Sequence, residues 1–218
     1  CARKCQTYNK ETPNCRQRTC DWPLSAQFRH SQVIAMPHKA KSTVSVVIPT
    51  LNAGRYLPEL LPALAEQKGG HDVDVVIVDS ESDDHGREIA AGYPFVKWIE
   101  IPRHEFTHGY ARNLGVARAT GEYVAFLSQD ALPADAEWLS ELLAPLKEDP
   151  DVGGCYSRQL PRKHAFATER FFLASCFPDS DPQVRRAESG QKLTLGHVFF
   201  SNVSSAARRS VLREYHFD

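Results

Sequence analysis

The segment VSVVIPTLNAG, residues 44–54, decides the fold of this chain. It opens with a nearly continuous β-branched apolar run that Pro49 closes, which is typical of a strand buried on both faces of a parallel sheet. A helix is expected over residues 55–67, where leucines recur at helical spacing, and Asn52 can cap it. The segment therefore predicts the first strand–helix unit of an α/β sheet.

Three further apolar runs continue this alternation: VDVVIVDS at 73–80, VKWIEI at 96–101 and YVAFLS at 123–128. A helix is expected over residues 110–120, with Gly121 just after its end, and another over 134–148, with Pro133 at its first turn. Strands that alternate with helices indicate βαβ units, which bind ligands beyond the carboxyl ends of their strands.

The pattern is looser beyond Asp151. A strand is expected within residues 152–160, a helix over 167–177, and a strand over 193–206 that leads into a helix over 207–215. Together with the earlier units, these elements predict a single α/β domain over residues 41–218.

Composition narrows the function classes. The chain has 218 residues and a formal net charge of −1. Its overall electrostatic field therefore does not favour binding to nucleic acid or to an anionic membrane. The chain contains no apolar stretch of the roughly 18 residues that a membrane span needs, and a cytoplasmic protein is expected.

Residues 1–40 are expected to form a poorly structured leader, whether or not it is native to the domain. The segment lacks apolar periodicity, and the lone methionine, Met36, comes just before the first strand. Four of the six cysteines crowd this leader at spacings that fit no common zinc pattern.

Two carboxylates end apolar runs. Asp79 can accept hydrogen bonds from a base or ribose edge, with Ser82 in the polar turn that follows; its alternative role is a cap for the next helix. Asp130 follows Ser128 and Gln129, and its carboxylate can hold Mg²⁺ or Mn²⁺ across two phosphates. The alternative role of Asp130 is an inert cap for the helix behind Pro133.

A third polar group lies near a helix start, in FTHGYARNLGVARATG, residues 106–121. Gly109 allows close backbone approach, and His108, Arg112 and Asn113 lie where backbone N–H groups and a guanidinium favour a diphosphate. Alternatively, Arg112 forms a surface ion pair and Asn113 is an ordinary helix-face residue.

Four segments together resemble a family 2 glycosyltransferase of the GT-A fold, and particularly its bacterial rhamnosyltransferase branch. They are residues 44–61, 75–84, 106–133 and 199–212, and the resemblance spans residues 43–218. It implies a Rossmann-like, mostly parallel sheet flanked by helices. It also implies a dTDP- or UDP-linked sugar donor and a divalent cation, Mg²⁺ or Mn²⁺.

The resemblance also assigns residues. The family's Asp-x-Asp metal motif aligns with residues 128–130, where Ser128 replaces the first acid and Asp130 remains as the metal ligand. On the acceptor side it places Asn202 and Arg209, with Arg208 expected in solvent. The nucleotide-sugar-binding residues that it implies are Pro49, Thr50, Asn52, Asp79, Ser82, His108, Gly109, Arg112, Asn113, Ser128, Gln129 and Asp130.

Inverting members of the family carry a catalytic base shortly after a Phe-Asp or Phe-Glu segment. Here the sequence stops at REYHFD, so the resemblance implies a domain incomplete at its C-terminal side, with the base beyond Asp218. The implied reaction is transfer of L-rhamnose from dTDP-rhamnose to a cell-surface polysaccharide or a lipid-linked acceptor, which leaves peripheral membrane association open.

Two other functions are alternatives to this transferase. One is a catalytically silent nucleotide-sugar-binding module, which lacks the base altogether. The other is an NAD-binding Rossmann protein, which is disfavoured because PTLNAGRY, residues 49–56, lacks the G-x-G-x-x-G loop.

Overall fold

The computed structural model describes residues 43–180, 183–186, 190–194, 196 and 199–218, so the expected leader over residues 1–40 lies outside the described residues. The strands are β1 (Thr43–Thr50), β2 (Asp72–Asp79), β3 (Val96–Glu100), β4 (Tyr123–Leu127), β5 (Gly154–Tyr156) and β6 (Ser204–Arg208). The helices are α1 (Leu57–Ala65), α2 (Gly86–Ala91), α3 (His108–Arg118), α4 (Trp138–Glu148), α5 (Ala167–Cys176) and α6 (Arg209–Glu214), with a 3₁₀ turn at Arg103–Glu105.

The strands form one mixed sheet in the order β3-β2-β1-β4-β6-β5. Strands β1 to β4 are mutually parallel, whereas β6 runs antiparallel to both β4 and β5. The carboxyl ends of β1, β2 and β4 therefore share one edge of the sheet, and Ser204, at the start of β6, pairs with Leu127 at that edge. The predicted α/β fold with a mostly parallel sheet flanked by helices is confirmed.

Helices cover both faces of the sheet, which explains why its central strands are almost continuously apolar. On one face, Ile48 of β1 belongs to a buried cluster with leucines of α1 and α4. On the other, Val47 packs in a second cluster with α3 and α6. Gly115 brings α3 close to β1, because a Cβ atom there would lie 2.3 Å from Cγ1 of Val47.

The structure corrects the predicted role of Asn52 as a helix cap. Helix α1 begins at Leu57, after an N-cap at Tyr56. Asn52 adopts a left-handed backbone conformation with φ 52°, and its Oδ1 accepts a hydrogen bond from Asp83 N at 3.1 Å. It therefore ties the loop after β1 to the loop after β2, since asparagine tolerates this conformation.

Helix α4 begins later than expected, at Trp138. A turn precedes it, in which Asp135 Oδ1 accepts a hydrogen bond from Glu137 N at 2.9 Å. Pro133 therefore lies outside the first helical turn, and Asp130 lies too far from the helix to cap it. The predictions that placed either residue at this helix start are wrong.

Gly121 also serves a different purpose from the one expected. Helix α3 ends at Arg118, and Gly121 is absent from the positions with positive φ. A Cβ atom at this position would lie 2.5 Å from Ser45 N. The glycine is therefore required by the close passage of β1 and does not terminate the helix.

Two further elements, α2 and β6, differ from expectation. Helix α2 was not predicted, because its six residues are too few for a helical repeat to show. A strand was expected over residues 193–206. In the described residues of this region, the strand spans Ser204–Arg208 and pairs with β4 and β5. Arg208 belongs to this strand and is half-buried, with its guanidinium donating to the carbonyl oxygens of Leu146, Val152 and Asp149, so its expected exposure to solvent is wrong.

Candidate functional site

A cleft of about 280 Å³ opens at the carboxyl edge of the parallel strands. Seven of its nine lining residues are among those that the sequence assigned to nucleotide-sugar binding, and Leu51 and Phe106 are additions. The lining consists of Pro49, Thr50, Leu51, Phe106, His108, Arg112, Ser128, Gln129 and Asp130. Segments distant in sequence therefore meet at this edge of the sheet.

Gln129 joins the two walls of the cleft. Its Oε1 accepts a hydrogen bond from Leu51 N at 2.8 Å, and its Nε2 donates to Leu51 O at 3.1 Å. The carboxamide thus pairs with the backbone as a neighbouring strand would, and it continues the link between β1 and β4 beyond their ends. Gln129 shapes the cleft in this structure by holding Leu51.

Asp79 supports the cleft from beneath. It is 2% exposed, and its carboxylate accepts hydrogen bonds from Thr50 Oγ1 at 2.8 Å, Ser82 N at 2.9 Å and Ser82 Oγ at 2.5 Å. Ser82 Oγ in turn accepts from Asn52 N at 2.8 Å. Asp79, Ser82 and Asn52 thus lie outside the lining and hold Thr50 and the loop after β1 in place. Asp79 does not cap α2, which begins only at Gly86.

Arg112 carries the main electrostatic feature of the cleft. Its side chain is half-buried, and Nη1 donates to His108 O at 3.1 Å. Its Nε is buried without a hydrogen-bond partner, and among the described residues no carboxylate lies within 4.0 Å of the guanidinium. The alternative of a surface ion pair is therefore not realised within the described part of the chain.

Burial lowers the pKa of Arg112 below its ordinary value, because desolvation disfavours the charged form. A guanidinium nevertheless remains protonated in proteins. The cleft thus contains a fixed positive charge with an unsatisfied donor, an arrangement that suits an anionic ligand.

Asp130 contributes the carboxylate of the cleft. The residue is exposed, and its backbone oxygen accepts a hydrogen bond from Arg162 Nη2 at 2.8 Å. Within the described ranges, no three His, Cys, Asp or Glu side chains gather closely enough to hold a metal ion by themselves. A lone carboxylate still fits Mg²⁺ or Mn²⁺ when phosphates and water complete the coordination.

Gly109 and Asn113 contact the end of the described chain. Asn113 Nδ2 donates to Phe217 O at 2.7 Å, and Asn113 Oδ1 accepts from Phe217 N at 2.9 Å. A Cβ atom on Gly109 would lie 2.0 Å from Asp218 O. Neither residue belongs to the cleft lining, although both flank it on α3.

The two predicted acceptor-side residues lie at different ends of the sheet. Asn202 precedes Val203, whose O accepts from Ser128 N at 2.9 Å, so Asn202 lies at the edge that carries the cleft. Arg209 donates through Nε to Gly121 O at 2.7 Å, before the start of β4. This is the opposite edge of the sheet, where the guanidinium of Arg209 anchors α6 to the segment before β4, and the acceptor-side role of Arg209 stays a prediction.

The comparison with protein families identifies the chain's relatives. The family model described as "Glycosyl transferase family 2" matches residues 45–216. The chain belongs to glycosyl transferase family 2. The predicted resemblance is thereby confirmed at the level of the family.

Two curated relatives of this family 2 chain carry rhamnosyltransferase names. O-antigen chain rhamnosyltransferase RfbN of Salmonella typhimurium is 32% identical over 78% of this chain and 54% of its own length. O-antigen chain rhamnosyltransferase WbaN of Salmonella anatum is 32% identical over 77% of this chain and 52% of its own length. The chain thus spans about half the length of these relatives.

Solved structures confirm the GT-A fold of this family 2 chain. TarS 1–349 of S. aureus superposes with a TM-score of 0.58 at 23% identity, over 79% of this chain and 48% of that one. The mannosyltransferase PcManGT of Pyrobaculum calidifontis, solved with GDP-Man and Mn²⁺, gives a TM-score of 0.57 at 25% identity, over 81% of this chain and 47% of that one.

Among the described residues, no helix has both the length and the apolar composition that crossing a membrane requires.

Phe106 and Leu51 line the cleft but were not predicted, although the sequence gives a weak indication of each. Phe106 begins the polar segment 106–121, and its ring lies edge-on to His108 with centroids 5.2 Å apart. Leu51 follows the first strand and is exposed, which is unusual for a leucine next to so buried a strand. Both contribute apolar surface, which sequence analysis focused on charged and amide groups overlooks.

Proposed function

We propose that this chain binds a nucleoside-diphosphate sugar in the cleft and transfers its sugar to a hydroxyl of a glycan or lipid-linked acceptor, with inversion. The observation that carries this proposal is the guanidinium of Arg112, which is half-buried at the cleft and has no carboxylate partner among the residues that the structure describes. A cation placed in this way is stabilised when an anion arrives, since paired charges tolerate burial far better than isolated ones.

The ligand that suits this cleft is a diphosphate. The guanidinium of Arg112 can donate hydrogen bonds to phosphate oxygens, and among the described residues its buried Nε has no competing partner. Asp130, across the cleft, would repel the same oxygens unless a cation lay between them. The combination of one arginine and one carboxylate therefore favours a phosphate ligand accompanied by a divalent ion.

Asp130 would hold Mg²⁺ or Mn²⁺, with phosphate oxygens and water as its other ligands. When bound, the ion would neutralise the negative charge that develops on the departing diphosphate. The presence of Mn²⁺ with GDP-Man in PcManGT, a structure 25% identical to this chain, supports a divalent ion at this site.

We propose L-rhamnose from dTDP-rhamnose as the transferred sugar, and UDP as the alternative carrier. The names of RfbN and WbaN support this choice. In the transfer, the acceptor oxygen bonds to the anomeric carbon while the bond to the diphosphate oxygen breaks. The acceptor proton passes to a base, for which no described residue is assigned. We place the reaction in the cytoplasm, peripheral to the membrane when the acceptor is lipid-linked.

Calorimetric titration with dTDP, UDP and GDP tests this proposal, in Mn²⁺, in Mg²⁺ and in EDTA. We expect dTDP or UDP to bind only with a divalent ion present. Arg112→Met should weaken that binding about tenfold to a hundredfold, because a hydrogen bond to a charged group contributes about 1.5–3 kcal/mol. Asp130→Asn should remove the dependence on the ion.

The matched control is Arg118→Met, on the exposed last turn of the same helix, which should leave the affinity unchanged. Absence of binding by all three nucleotides would contradict the proposal. An Asp130→Asn protein that kept its full ion-dependent affinity would remove the metal from it. Release of dTDP from dTDP-rhamnose separates an enzyme from the silent binding module.

A further inference from the structure

We propose that Asn113 is a positioning residue that docks residues 217–218 onto the first turns of α3 and does not contact the nucleotide sugar. This inference rests on the proposed function, because it concerns how the acceptor side of the same cleft is built. It also reverses the role that the family resemblance assigns to Asn113.

The hydrogen bonds of Asn113 carry the argument. Its Nδ2 donates to Phe217 O at 2.7 Å and its Oδ1 accepts from Phe217 N at 2.9 Å, so the carboxamide satisfies both backbone groups of one residue. A ligand in the cleft would have to compete with this pair. The partner lies 104 positions away along the chain, so the contact is a tertiary one.

Gly109 supplies a second observation on the same helix. A Cβ atom at this position would lie 2.0 Å from Asp218 O and 2.7 Å from its carbonyl carbon. Real Cβ atoms do not approach other atoms so closely, and a backbone atom cannot rotate away. The first turn of α3 is therefore shaped to receive the backbone of Asp218, next to His108 of the cleft lining.

The ring of Phe217 connects this docked segment to the cleft. It lies edge-on to Phe126 with centroids 5.2 Å apart, and Phe126 stands on β4 shortly before Ser128. The Cζ atom of Arg112 lies 5.8 Å from the centroid of the same ring. Docking by Asn113 thus holds Phe217 against Phe126 and near Arg112, and Asp218 against the first turn of α3.

Amide hydrogen exchange at Phe217 tests the docking directly. In Asn113→Ala, we expect Phe217 N–H to exchange at least about tenfold faster than in the wild type, since its acceptor is gone. Affinity for the nucleoside diphosphate with Mn²⁺ should stay within about threefold, whereas loss of a direct polar ligand would cost about tenfold or more. With sugar transfer as the readout, kcat should fall while the KM of the donor is retained.

Asn113→Asp provides a readout that a general packing defect would not produce. At neutral pH one oxygen of the introduced carboxylate can still accept from Phe217 N, but the other has no proton to donate and repels Phe217 O, so protection of Phe217 N–H should be reduced. The neutral acid can donate to Phe217 O, so protection, corrected for the intrinsic rate, should return as pH falls toward about 4. The wild type measured at the same pH values controls for effects of pH on the rest of the protein.

Gly109→Ala is the second variant. Alanine has a higher helix propensity than glycine, so the substitution favours α3 itself and disturbs only the contact with Asp218. Its effect on Phe217 exchange should be non-additive with that of Asn113→Ala, because both act on one segment.

Unchanged Phe217 exchange in Asn113→Ala, or a tenfold loss of nucleotide affinity in that variant, would overturn the inference. A wild-type protein that binds no nucleotide would contradict the proposed function. In that case the exchange rate of Phe217 and its pH-dependent recovery still decide whether Asn113 docks the segment.

Discussion

Helices α4 and α5 have similar lengths but opposite relations to the core. Five residues of α4 are buried: Trp138, Leu139, Leu142, Leu143 and Leu146. No residue of α5 is buried, and Phe171 and Phe172 are 76% and 60% exposed. Apolar content alone therefore does not determine which helix joins the core.

The spacing of the apolar residues explains the difference. Leu139, Leu142, Leu143 and Leu146 recur at intervals of three and four, so α4 presents one continuous apolar face to the sheet. The apolar residues of α5 stand next to one another at 171–173, and neighbours on a helix point about 100° apart. Three consecutive apolar side chains therefore cannot all pack against one surface of the domain. Only Leu173 of the three is half-buried, and Phe171 and Phe172 are exposed.

Leu143→Ala is expected to have the largest effect on stability. Its side chain is fully buried, so truncation should lower the free energy of unfolding by about 2–5 kcal/mol. Urea denaturation followed by circular dichroism measures the change. A loss below about 1 kcal/mol would show that α4 is less tightly packed than its burial indicates.

The second largest expected effect is a difference in alkylation rate between Cys155, beneath α4, and Cys176, at the end of α5. Cys155 lies beneath α4, where its Sγ contacts Leu142 O at 2.9 Å, and burial raises its pKa to about 11. The thiol form therefore dominates at pH 8, and the thiolate fraction should rise about tenfold for each pH unit up to that pKa.

Cys176, at the exposed end of α5, should react with iodoacetamide at least about a hundredfold faster than Cys155 at pH 8. Peptide mapping by mass spectrometry separates these two positions from the four cysteines within residues 1–20. Equal labelling rates in the folded protein would contradict the burial of Cys155.

Phe171→Ala should have the smallest effect. The ring is exposed, so the free energy of unfolding should change by no more than about 0.5 kcal/mol. The same urea titration applies. A loss comparable to that of Leu143→Ala would mean that α5 is packed against other residues in solution, and would remove the contrast between the two helices.

The elements whose side chains repeat with a clear period were the ones that the sequence predicted best. The four apolar runs of β1 to β4 became parallel strands, and the polar residues beyond β1 and β4 met at one edge. Prediction from periodicity failed for α2, because that helix is too short to show a repeat. It also failed for the start of α4, where a turn at Asp135 takes the place of the expected helical turn. Local pattern does not reveal how far a turn extends.

The candidate site likewise contains features that the local sequence predicted and features that it did not. Residue types beyond strand ends indicated which segments approach the cleft, and seven of the predicted residues line it. The sequence did not show which of the predicted residues line the cleft and which, such as Asp79 and Asn113, lie outside its lining. That distinction depends on partners distant in the chain: Thr50 for Asp79 and Phe217 for Asn113.

The sequence by itself determined that this chain forms an α/β sheet with polar residues collected at the carboxyl ends of its parallel strands, because buried strands need apolar runs. Only the tertiary structure decided which of those polar groups line the cleft. A hydrogen bond to a distant residue leaves no trace in local sequence. Arg112 and Asp130 belong to the cleft lining, whereas Asp79 bonds to Thr50 and Asn113 bonds to the backbone of Phe217.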